Sequence, residues 1–515
     1  MNILKNTAAG LGAAALALML GTGASAQTAE FAAAGSSALF PTLRTAAQTV
    51  ISTGNTYTEN NVGFIVDPSL PNAPEQGNIF VVYTPTLPRR VAFDISVDST
   101  VGDRAYFNSD TVRFTPTAAN ITAAGTAGGN GQIPQDVVDI VNRSIINVAA
   151  TDIRPEDALV ATATAFRLGY SPTNPIRDGG GNAAYPVTFS LASRNFTVNP
   201  IGASPVLIFA NTTTTNSANP NVLGSGGALV PGAQNINRFT LGKIVDGTLF
   251  RTSDIDINAT SGQPLTTFIR EPLSGTYNTF EFCVPRSLEV NSTQEAGVNS
   301  NPLNEAGVPL STAAGMSDTV TDGGASSVGG RVRAIGTGAL IRGVNSTSNA
   351  LGYAFFSIGS FAAAGNTRYL SVENAEPLNA VYTGGVYPTA GATVTFPNLI
   401  DGAYPIWSLL RLVFDQGNTV APAYLTAALN ANSGGNFAPA NSLRVFRSHR
   451  AVNLNQRNSD GTTITANIRP NNGTAPGTAG PAAEAGADAG GAIFLINNDR
   501  NFSNDTGNQL TNFRQ

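Results

Sequence analysis

The chain alternates short runs of β-forming residues with stretches of helical periodicity, and this alternation most restricts the folds that it can adopt. Strands are predicted in runs rich in Val, Ile, Phe and Tyr, at residues 79–83, 91–97, 206–209 and 351–358. Helices are predicted where apolar residues recur at near-helical spacing, at residues 36–50, 135–148 and 404–414. The chain is therefore predicted to be a mixed α/β protein.

The length of the chain, 515 residues, exceeds what one ordinary hydrophobic core holds, so two or three domains are expected. Polar and small residues that cannot pack a core dominate three segments, which are predicted to be surface loops: residues 211–221, 322–330 and 471–491.

The first 26 residues have the layout of a cleavable export signal. Lys5 lies in a short N-terminal region, an apolar core follows at residues 8–20, and small residues precede a cleavage site after Ala26. The core is too short and too rich in Gly and Ala for a membrane-spanning helix, which needs about 20 apolar residues. We expect a mature chain from Gln27 in the periplasm, or outside the cell if it is secreted, with no membrane insertion after cleavage.

The charge of the chain argues against two classes of partner. Charged residues make up 12% of the sequence, the net charge is -5, and no basic cluster is present. Proteins that bind nucleic acid or anionic lipid need clustered Lys and Arg to replace counterions. We therefore expect neither nucleic acid nor a membrane surface as a partner.

The single histidine and the single cysteine restrict the chemistry further. Cys283 cannot form an intramolecular disulfide and is interpreted as a small buried apolar residue. His449 alone cannot build a His-based metal cluster, and any Ser-His-Asp or Cys-His mechanism would depend on it. We expect no metal, no cofactor and no enzymatic activity.

The strongest local signal lies at residues 268–280, which predict a strand end, a turn and the first turn of a helix. Helix starts have backbone N–H groups without intrahelical acceptors and carry partial positive charge, so they bind anions readily. Ser274 and Thr276 would add hydroxyl donors, Gly275 lets an anion approach the backbone, and Arg270 could hold the same anion with paired hydrogen bonds. A Ser-Gly-Thr sequence is also a common structural helix start, and both readings stay open at this point.

Three further segments could contribute to the same site. Residues 34–41 and 125–131 are Gly-containing entries into predicted helices, and residues 149–155 place Asp152 in a turn. Each is weak alone, because most Gly runs of this kind are flexible loops. Asp152 could equally cap its turn or pair with Arg154.

Taken in order, these segments resemble the periplasmic phosphate-binding proteins of ABC transporters, which have the type II two-lobed substrate-binding fold. That family has a Gly-rich turn with Phe-Pro, then a Gly-Ser loop, a Ser-Asp turn, and an Arg followed by Ser-Gly-Thr. Weaker similarity lies at residues 235–252, 334–338, 351–355 and 403–408. The resemblance covers about residues 31–410 and is interrupted by long inserts, notably at residues 55–122 and 294–329.

The resemblance implies an α/β protein with a two-lobed type II periplasmic binding protein fold, mixed sheets and long inserted loops. After the signal peptide at residues 1–26, residues 27–203 plus 401–515 would form one lobe and residues 204–400 the other. The anion would lie in the cleft between the lobes.

The resemblance also implies a set of anion contacts: Phe40, Thr126, Asp152, Arg270, Ser274, Gly275 and Thr276. The chain departs from the family pattern at three positions. Leu39 replaces a hydroxyl residue whose donor Ser36 or Ser37 would have to supply, Thr126 stands for a serine, and Thr151 stands for the serine before the aspartate.

Asp152 needs a separate explanation, because a carboxylate beside an anion is unfavourable by Coulomb's law. An ionised aspartate is a hydrogen-bond acceptor only. It can bind a ligand that still carries a proton, such as hydrogen phosphate, and it repels a fully ionised sulfate.

Three functions follow as hypotheses. The first is periplasmic binding of a small oxyanion, with phosphate preferred, for delivery to an ABC transporter permease. The second is a secreted surface or matrix protein that retains the binding-protein fold without a transport role, as the low charge and the Asn-, Thr- and Gly-rich inserts suggest. The third, a secreted phosphatase, fits least, because His449 is the only histidine for a metal site or a general base.

Overall fold

The computed structural model describes the following residues of the chain: 27–64, 75–129, 131–155, 157–158, 189–212, 235–245, 249, 265–270, 273–284, 319–321, 327–334, 336–362, 364–382, 384–389, 394–431, 435–447 and 493–495. The predicted signal peptide, His449 and the predicted loop at residues 471–491 lie outside them.

The helices are α1 (Phe40–Val50), α2 (Ser99–Asn108), α3 (Gln135–Arg143), α4 (Arg238–Val245), α5 (Gly275–Cys283), α6 (Thr337–Ser346), α7 (Ile358–Phe361), α8 (Pro397–Ile400) and α9 (Ala421–Asn430). In the part of the chain described above, none of them combines the length and the apolar character that crossing a membrane requires.

The strands are β1 (Phe31–Ser36), β2 (Asn55–Phe64), β3 (Glu75–Tyr83), β4 (Val91–Val97), β5 (Ile121–Thr122), β6 (Ile133–Pro134), β7 (Val148–Thr151), β8 (Phe196–Asn211), β9 (Asn235–Ile236), β10 (Leu265–Arg270), β11 (Thr319–Thr321), β12 (Ser327–Ala334), β13 (Ala350–Phe355), β14 (Thr367–Tyr369), β15 (Ser371–Val372), β16 (Trp407–Asp415), β17 (Ala438–Pro439), β18 (Val445–Arg447) and β19 (Ile493–Leu495).

Most of these strands belong to one large mixed sheet. Among the described residues it has 13 strands, with the order β11-β12-β10-β13-β8-β16-β7-β1-β4-β3-β2, and β14 and β17 also pair with β8. The other strands form two-stranded pairs, β15-β9, β18-β19 and β5-β6. The protein is thus a mixed α/β protein, as the alternation in the sequence predicts.

The long strand β8 joins two halves of this sheet. Its residues up to Pro205 pair with β16, whereas its residues from Val206 onward pair with β13. We call the part that contains β1, β4 and β7 the first half and the part that contains β10, β12 and β13 the second half. The change of partner falls close to the predicted lobe boundary at residues 203–204, and the lobe assignment itself stays a prediction.

The parallel strands of the two halves point towards each other. β4 and β7 run parallel to β1, and β12 and β13 run parallel to β10. β16 is antiparallel to both β7 and β8, so β1, β4 and β7 run in the same direction as β8. β13 is antiparallel to β8, so β10, β12 and β13 run in the opposite direction. The two halves pair with successive segments of β8, and their parallel strands run in opposite directions. The carboxyl edges of the two halves therefore face each other.

The apolar core is continuous across the two halves. One buried cluster contains Leu43 of α1, Ile208 of β8 and Tyr353 of β13, and so includes residues of both halves of the sheet. Burial of this surface removes apolar area from water and holds the helices against the sheet. Helices α1 and α5, which contribute residues to this cluster, are therefore held by packing that spans both halves.

The predicted helix at residues 404–414 is wrong, because this segment is strand β16. β16 lies between β7 and β8, and its residues from Trp407 to Phe414 are all buried. A strand that is covered on both faces has a continuous apolar sequence. Periodicity alone cannot distinguish such a sequence from that of a buried helix.

Several other predicted boundaries also shift. α1 begins at Phe40, because Ser36 is the last residue of β1, and α3 ends at Arg143 rather than at residue 148. Residues 327–330, predicted as part of a loop, belong to β12. Cys283 is buried, as predicted.

Helix α2 packs directly onto the end of β1 through a glycine. A Cβ atom on Gly102 would overlap the carbonyl oxygen of Ala34 and the Cα atom of Gly35. Only glycine lets the helix axis come this close to the strand. The close approach brings the start of α2 to the carboxyl edge of β1.

We expect Gly102→Ala to lower the free energy of unfolding by about 1–3 kcal/mol, because the added methyl group overpacks this contact. In an unconstrained helix interior the same change stabilises by roughly 0.5–1 kcal/mol, so the sign of the effect is diagnostic. Chemical denaturation measures it, with Gly417→Ala as the control, since no atom lies within 4 Å of the Cβ position there. Unchanged stability of Gly102→Ala would contradict the packing described.

Asp94 is a fully buried carboxyl group in the middle of β4, where it faces Ala33 of β1 and Phe80 of β3 in the strand register. Among the described residues no side chain donates a hydrogen bond to either carboxyl oxygen, and the backbone N–H of Ile95 lowers the pKa by less than burial raises it. The loss of hydration on burial raises the pKa of Asp94 to about 8. Asp94 is therefore protonated in the folded protein at neutral pH.

We expect wild-type protein to lose stability relative to Asp94→Asn as the pH rises from about 4, the pKa of an unfolded aspartate, to the folded value. Over this interval the folded state holds a proton that the unfolded state has released. The difference in the free energy of unfolding between the wild-type protein and Asp94→Asn should change by up to about 1.4 kcal/mol per pH unit. Denaturation at a series of pH values measures it. A difference that does not vary with pH, or equal behaviour of the exposed control Asp401→Asn, would refute the assignment.

Candidate functional site

Four helices begin at the facing carboxyl edges of the sheet. α1 and α2 follow β1 and β4 in the first half, and α5 and α6 follow β10 and β12 in the second half. Ser99, Gly275 and Thr337 are the first residues of α2, α5 and α6, and Ser37 lies just before α1. Side-chain and backbone contacts join all four helix starts at one place, which we call the junction.

Asp152, which directly follows β7, lies at the centre of the junction. Ser36 donates a hydrogen bond to its Oδ2 at 3.1 Å, and the Ser99 hydroxyl donates to its Oδ1. Gly275 of the second half lies against the same carboxylate so closely that a Cβ atom would overlap Oδ1. Asp152 is 2% exposed. One buried carboxylate is thus in contact with helix starts of both halves.

The surroundings of Asp152 change its acidity. Burial has the largest effect and raises the pKa of Asp152, while hydrogen bonds from Ser99 and Ser36 and the charge of Arg270 lower it in part. The net direction is upward. Asp152 therefore acts as an acceptor when it is ionised, and it gains a proton to donate more easily than an exposed aspartate does.

Arg270 ends β10 and extends across to the first half. Its Nη2 donates a hydrogen bond to Oδ1 of Asp98 at 3.0 Å, and its Nη1 donates to Oγ1 of Thr337 at 2.8 Å. The side chains of Arg270 and Asp98 are 2% and 11% exposed. This nearly buried ion pair connects the two halves of the sheet directly.

The helix starts themselves supply further positive potential. Leu39, Asp98 and Gly336 stand at the N-caps of α1, α2 and α6, and none of the three helices has a side-chain cap bond. The Asp98 carboxylate instead accepts a hydrogen bond from Arg270. The Ser274 side chain caps α5 by accepting a hydrogen bond from the Tyr277 N–H at 3.3 Å. Each helix start carries roughly half a unit of positive charge, so the junction favours negative charge.

Five of the predicted contact residues meet at the junction. Asp152, Arg270 and Gly275 make the contacts described above, and Ser274 and Thr276 flank Gly275 at the start of α5 and are buried. The structure thus brings these five residues together, and their contact with an anion stays a prediction.

Phe40 lies at the edge of the same junction as the first residue of α1. Its ring is half-buried and packs against Phe80, with the ring centroids 5.2 Å apart. Ser36 and Ser37, the two residues that would replace the missing hydroxyl at Leu39, both make contacts here. Ser36 bonds Asp152, and Ser37 lies 2.9 Å from the hydroxyl of Thr337.

Thr126 lies apart from the junction. It is exposed, its hydroxyl donates to the carbonyl of Ala123 at 2.6 Å, and its carbonyl accepts a hydrogen bond from Arg89 at 2.8 Å. Arg89 in turn pairs with Asp136 at 2.8 Å. The Gly-rich segment that contains Thr126 thus packs beside α3 and shares none of the contacts that join Asp152 and Arg270.

Three residues at the junction are missing from the sequence prediction: Asp98, Ser99 and Thr337. Asp98 and Ser99 directly follow residues 91–97, a run already predicted as a strand. Polar residues that follow parallel strands collect at the carboxyl edge of the sheet, so this position was a signal that could have found them. Thr337 follows Gly336 at a helix start, and its place opposite Ser37 depends on how the strands are ordered.

The junction combines the Arg270 guanidinium, four helix starts, two carboxylates and several hydroxyls, which suits a small anion better than a cation. Among the described residues, no group of three or more His, Cys, Asp or Glu side chains is placed to hold a metal ion.

No protein-family model and no curated protein matches this sequence. Among solved structures, the chain is similar to an ABC-type phosphate transport receptor from Vibrio cholerae, with a TM-score of 0.34 and 12% identity over 78% of this chain and 93% of that one. It is also similar to PstS from Borrelia burgdorferi, with a TM-score of 0.30 and 10% identity over 77% and 91% of the two chains. A phosphate-binding protein from Stenotrophomonas maltophilia has a TM-score of 0.33 and 12% identity over 67% and 83%.

Proposed function

We propose that the protein binds a small oxyanion, with phosphate preferred, at the junction of Asp152, Arg270 and Gly275. The observation that supports this most is the convergence of four helix starts and one guanidinium from two halves of the sheet on one buried carboxylate. Backbone N–H groups at helix starts and a guanidinium are the donors that oxyanions use most in proteins. We expect reversible binding, in which no covalent bond is made or broken.

Asp152 would supply the preference for phosphate. When ionised it accepts a hydrogen bond from the proton of hydrogen phosphate, and it repels sulfate, which has no proton at neutral pH. Its position against Gly275 would place this acceptor beside the α5 amides. One face of the anion would then meet donors and the other face an acceptor.

Because Asp152 and Arg270 are each 2% exposed, an anion can reach them only if the two halves separate. We propose that residues 27–203 plus 401–515 form one lobe, that residues 204–400 form the other, and that they open about β8 and the return of the chain into β16. An exported protein of this kind would deliver its anion to an ABC transporter permease, as the sequence resemblance implies.

The contact between Arg270 and Asp98 supports one alternative. The guanidinium has a carboxylate and a hydroxyl partner without any ligand, so the same contacts could serve to hold the halves together. A secreted surface or matrix protein that retains the fold without binding an anion would use them in this way. The two functions differ in whether phosphate binds at all.

We expect Arg270→Ala to weaken phosphate binding by about 30-fold or more, since truncating one partner of a buried charged contact costs roughly 2–5 kcal/mol. Calorimetric titration of the mature protein with phosphate measures the loss. Arg444→Ala is the matched control, because Arg444 is exposed and pairs only with the exposed Asp401 in the contacts described.

Circular dichroism and the melting temperature would show whether Arg270→Ala still folds, and Arg270→Lys, which keeps the charge without the planar fork, should bind with intermediate affinity. Wild-type affinity for phosphate in a folded Arg270→Ala protein would rule out the proposed site. No heat with phosphate in the wild-type protein would favour the alternative.

We expect sulfate binding to tighten as the pH falls, because the raised pKa of Asp152 lets this carboxyl group gain a proton and donate to a fully ionised anion. Asp152→Asn, which has N–H donors at every pH, should bind sulfate without this pH dependence. Its preference for phosphate over sulfate at neutral pH should fall at least about tenfold, or 1.4 kcal/mol. Competition titrations at several pH values measure both effects, and unchanged discrimination by Asp152→Asn would show that Asp152 does not select the anion.

A further inference from the structure

A cavity of about 500 Å³ adjoins the junction on the side of α1 and α6. One wall is formed by the start of α1 and by Asn60, Asn78 and Ser96 on the neighbouring strands β2, β3 and β4. Asn78 and Ser96 are register partners across the β3–β4 pair, so their side chains lie side by side. The opposite wall is formed by the start of α6 and by α7.

The walls of the cavity are rich in neutral hydrogen-bonding groups. The polar neutral side chains among its described lining residues are Ser37, Asn60, Asn78, Ser96, Thr337 and Ser360. Amides and hydroxyls both donate and accept, so they match a ligand that carries several hydroxyl groups. No acidic side chain is among the described lining residues.

Two further features suit a carbon-containing ligand rather than water alone. Phe40 and Pro41 give one part of the wall an apolar surface, against which the C–H face of a ring or chain can pack. Arg342, which lies four residues after Gly338 on the same face of α6, adds guanidinium donors at the opposite wall. Convergent polar groups around an apolar surface are typical of small-molecule sites.

The cavity and the proposed anion site meet at two hydroxyl groups. Ser37 and Thr337 both line the cavity, and their hydroxyl oxygens lie 2.9 Å apart. Thr337 also accepts the hydrogen bond from Nη1 of Arg270. A molecule that reached between these two hydroxyls would contact the junction with one end and the cavity with the other.

The size of the cavity separates an inorganic ion from a larger ligand. Clefts that bind small organic molecules have volumes of roughly 300–1,000 Å³, and this cavity falls within that range. Inorganic phosphate is a single tetrahedron of oxygen atoms and would be held by the junction alone. The cavity walls would then have no ligand to contact.

We propose that the cleft binds a phosphate monoester of a polyhydroxylated molecule, a sugar or polyol phosphate, with the phosphoryl group at Asp152 and Arg270 and the hydroxylated part in the adjoining cavity. This inference rests on the proposed function, since it uses the same anion site. Asn60, Asn78 and Ser96 contact the ligand hydroxyls, and Phe40 packs against its carbon skeleton. The Ser37 and Thr337 hydroxyls turn from each other to the ester oxygen.

Calorimetric titration with inorganic phosphate, glycerol 3-phosphate, glucose 6-phosphate and glucose tests the proposal. We expect at least one of the two esters to bind about tenfold or more tightly than inorganic phosphate, and glucose alone to bind weakly or not at all. The two esters distinguish a short polyol from a sugar ring as the preferred group.

Gly359→Trp gives the matching structural test. Gly359 lines the cavity, and no atom lies within 4 Å of its Cβ position, so a large side chain at the cavity wall is accommodated without displacing the backbone. Affinity for the preferred ester should fall at least tenfold, while affinity for inorganic phosphate stays unchanged. Gly365→Trp is the control, because Gly365 has equally open space and is not among the lining residues, and it should change neither affinity.

The outcomes separate the inference from the function on which it rests. If inorganic phosphate binds as tightly as both esters, or if Gly359→Trp and Gly365→Trp bind the preferred ester equally, the cavity is not a ligand subsite and the inference is wrong. If neither phosphate nor either ester binds, the proposed anion site is also wrong.

Discussion

Strand β8 places the two halves of the molecule in opposition, and the other features of the site depend on this constraint. Its first ten residues pair within the first half and its last six within the second, while the parallel strands of the two halves run in opposite directions. Helices that follow parallel strands begin at the carboxyl edge. The opposed edges therefore bring the starts of α1, α2, α5 and α6 together at one point, although these helices are widely separated in the sequence.

The electrostatic balance at that point explains why two carboxylates remain close to a nearly buried guanidinium. Taking an ion out of water costs several kcal/mol, which good geometry and further hydrogen bonds must offset. Arg270 pairs with Asp98, and Asp152 receives hydroxyl hydrogen bonds and the field of the helix starts. An anion that entered would exchange some of these contacts for its own. Within the first half, hydrogen bonds from Ser36 and Ser99 already orient Asp152, and such preorganisation reduces the free-energy cost of binding.

The sequence predicted the local parts of the fold and site better than their assembly. The Arg270 and Ser274–Thr276 segment forms the strand end and helix start that its residues indicate, and Asp152 follows a buried strand. Residues 404–414 were mistaken for a helix, because a strand covered on both faces has no period-two pattern. Thr126, which the family resemblance implies as a contact, lies outside the junction, and Ser99 at the junction is not among the residues that the resemblance implies. The position of Ser99 depends on β4 being parallel to β1 and β7, which is a long-range property of the sheet.

A crystal structure of residues 27–515 with bound phosphate tests the central claim most directly. The convergence of the four helix starts predicts a phosphate ion or phosphoryl group about 2.7–2.9 Å from the Arg270 guanidinium, as charge-assisted hydrogen bonds require. It also predicts hydrogen bonds from the backbone N–H groups at Ser99 or Gly275, and a ligand proton shared with Asp152. Phosphate bound elsewhere, with Arg270 and Asp98 paired as before and no ligand between Asp152 and Gly275, would contradict it.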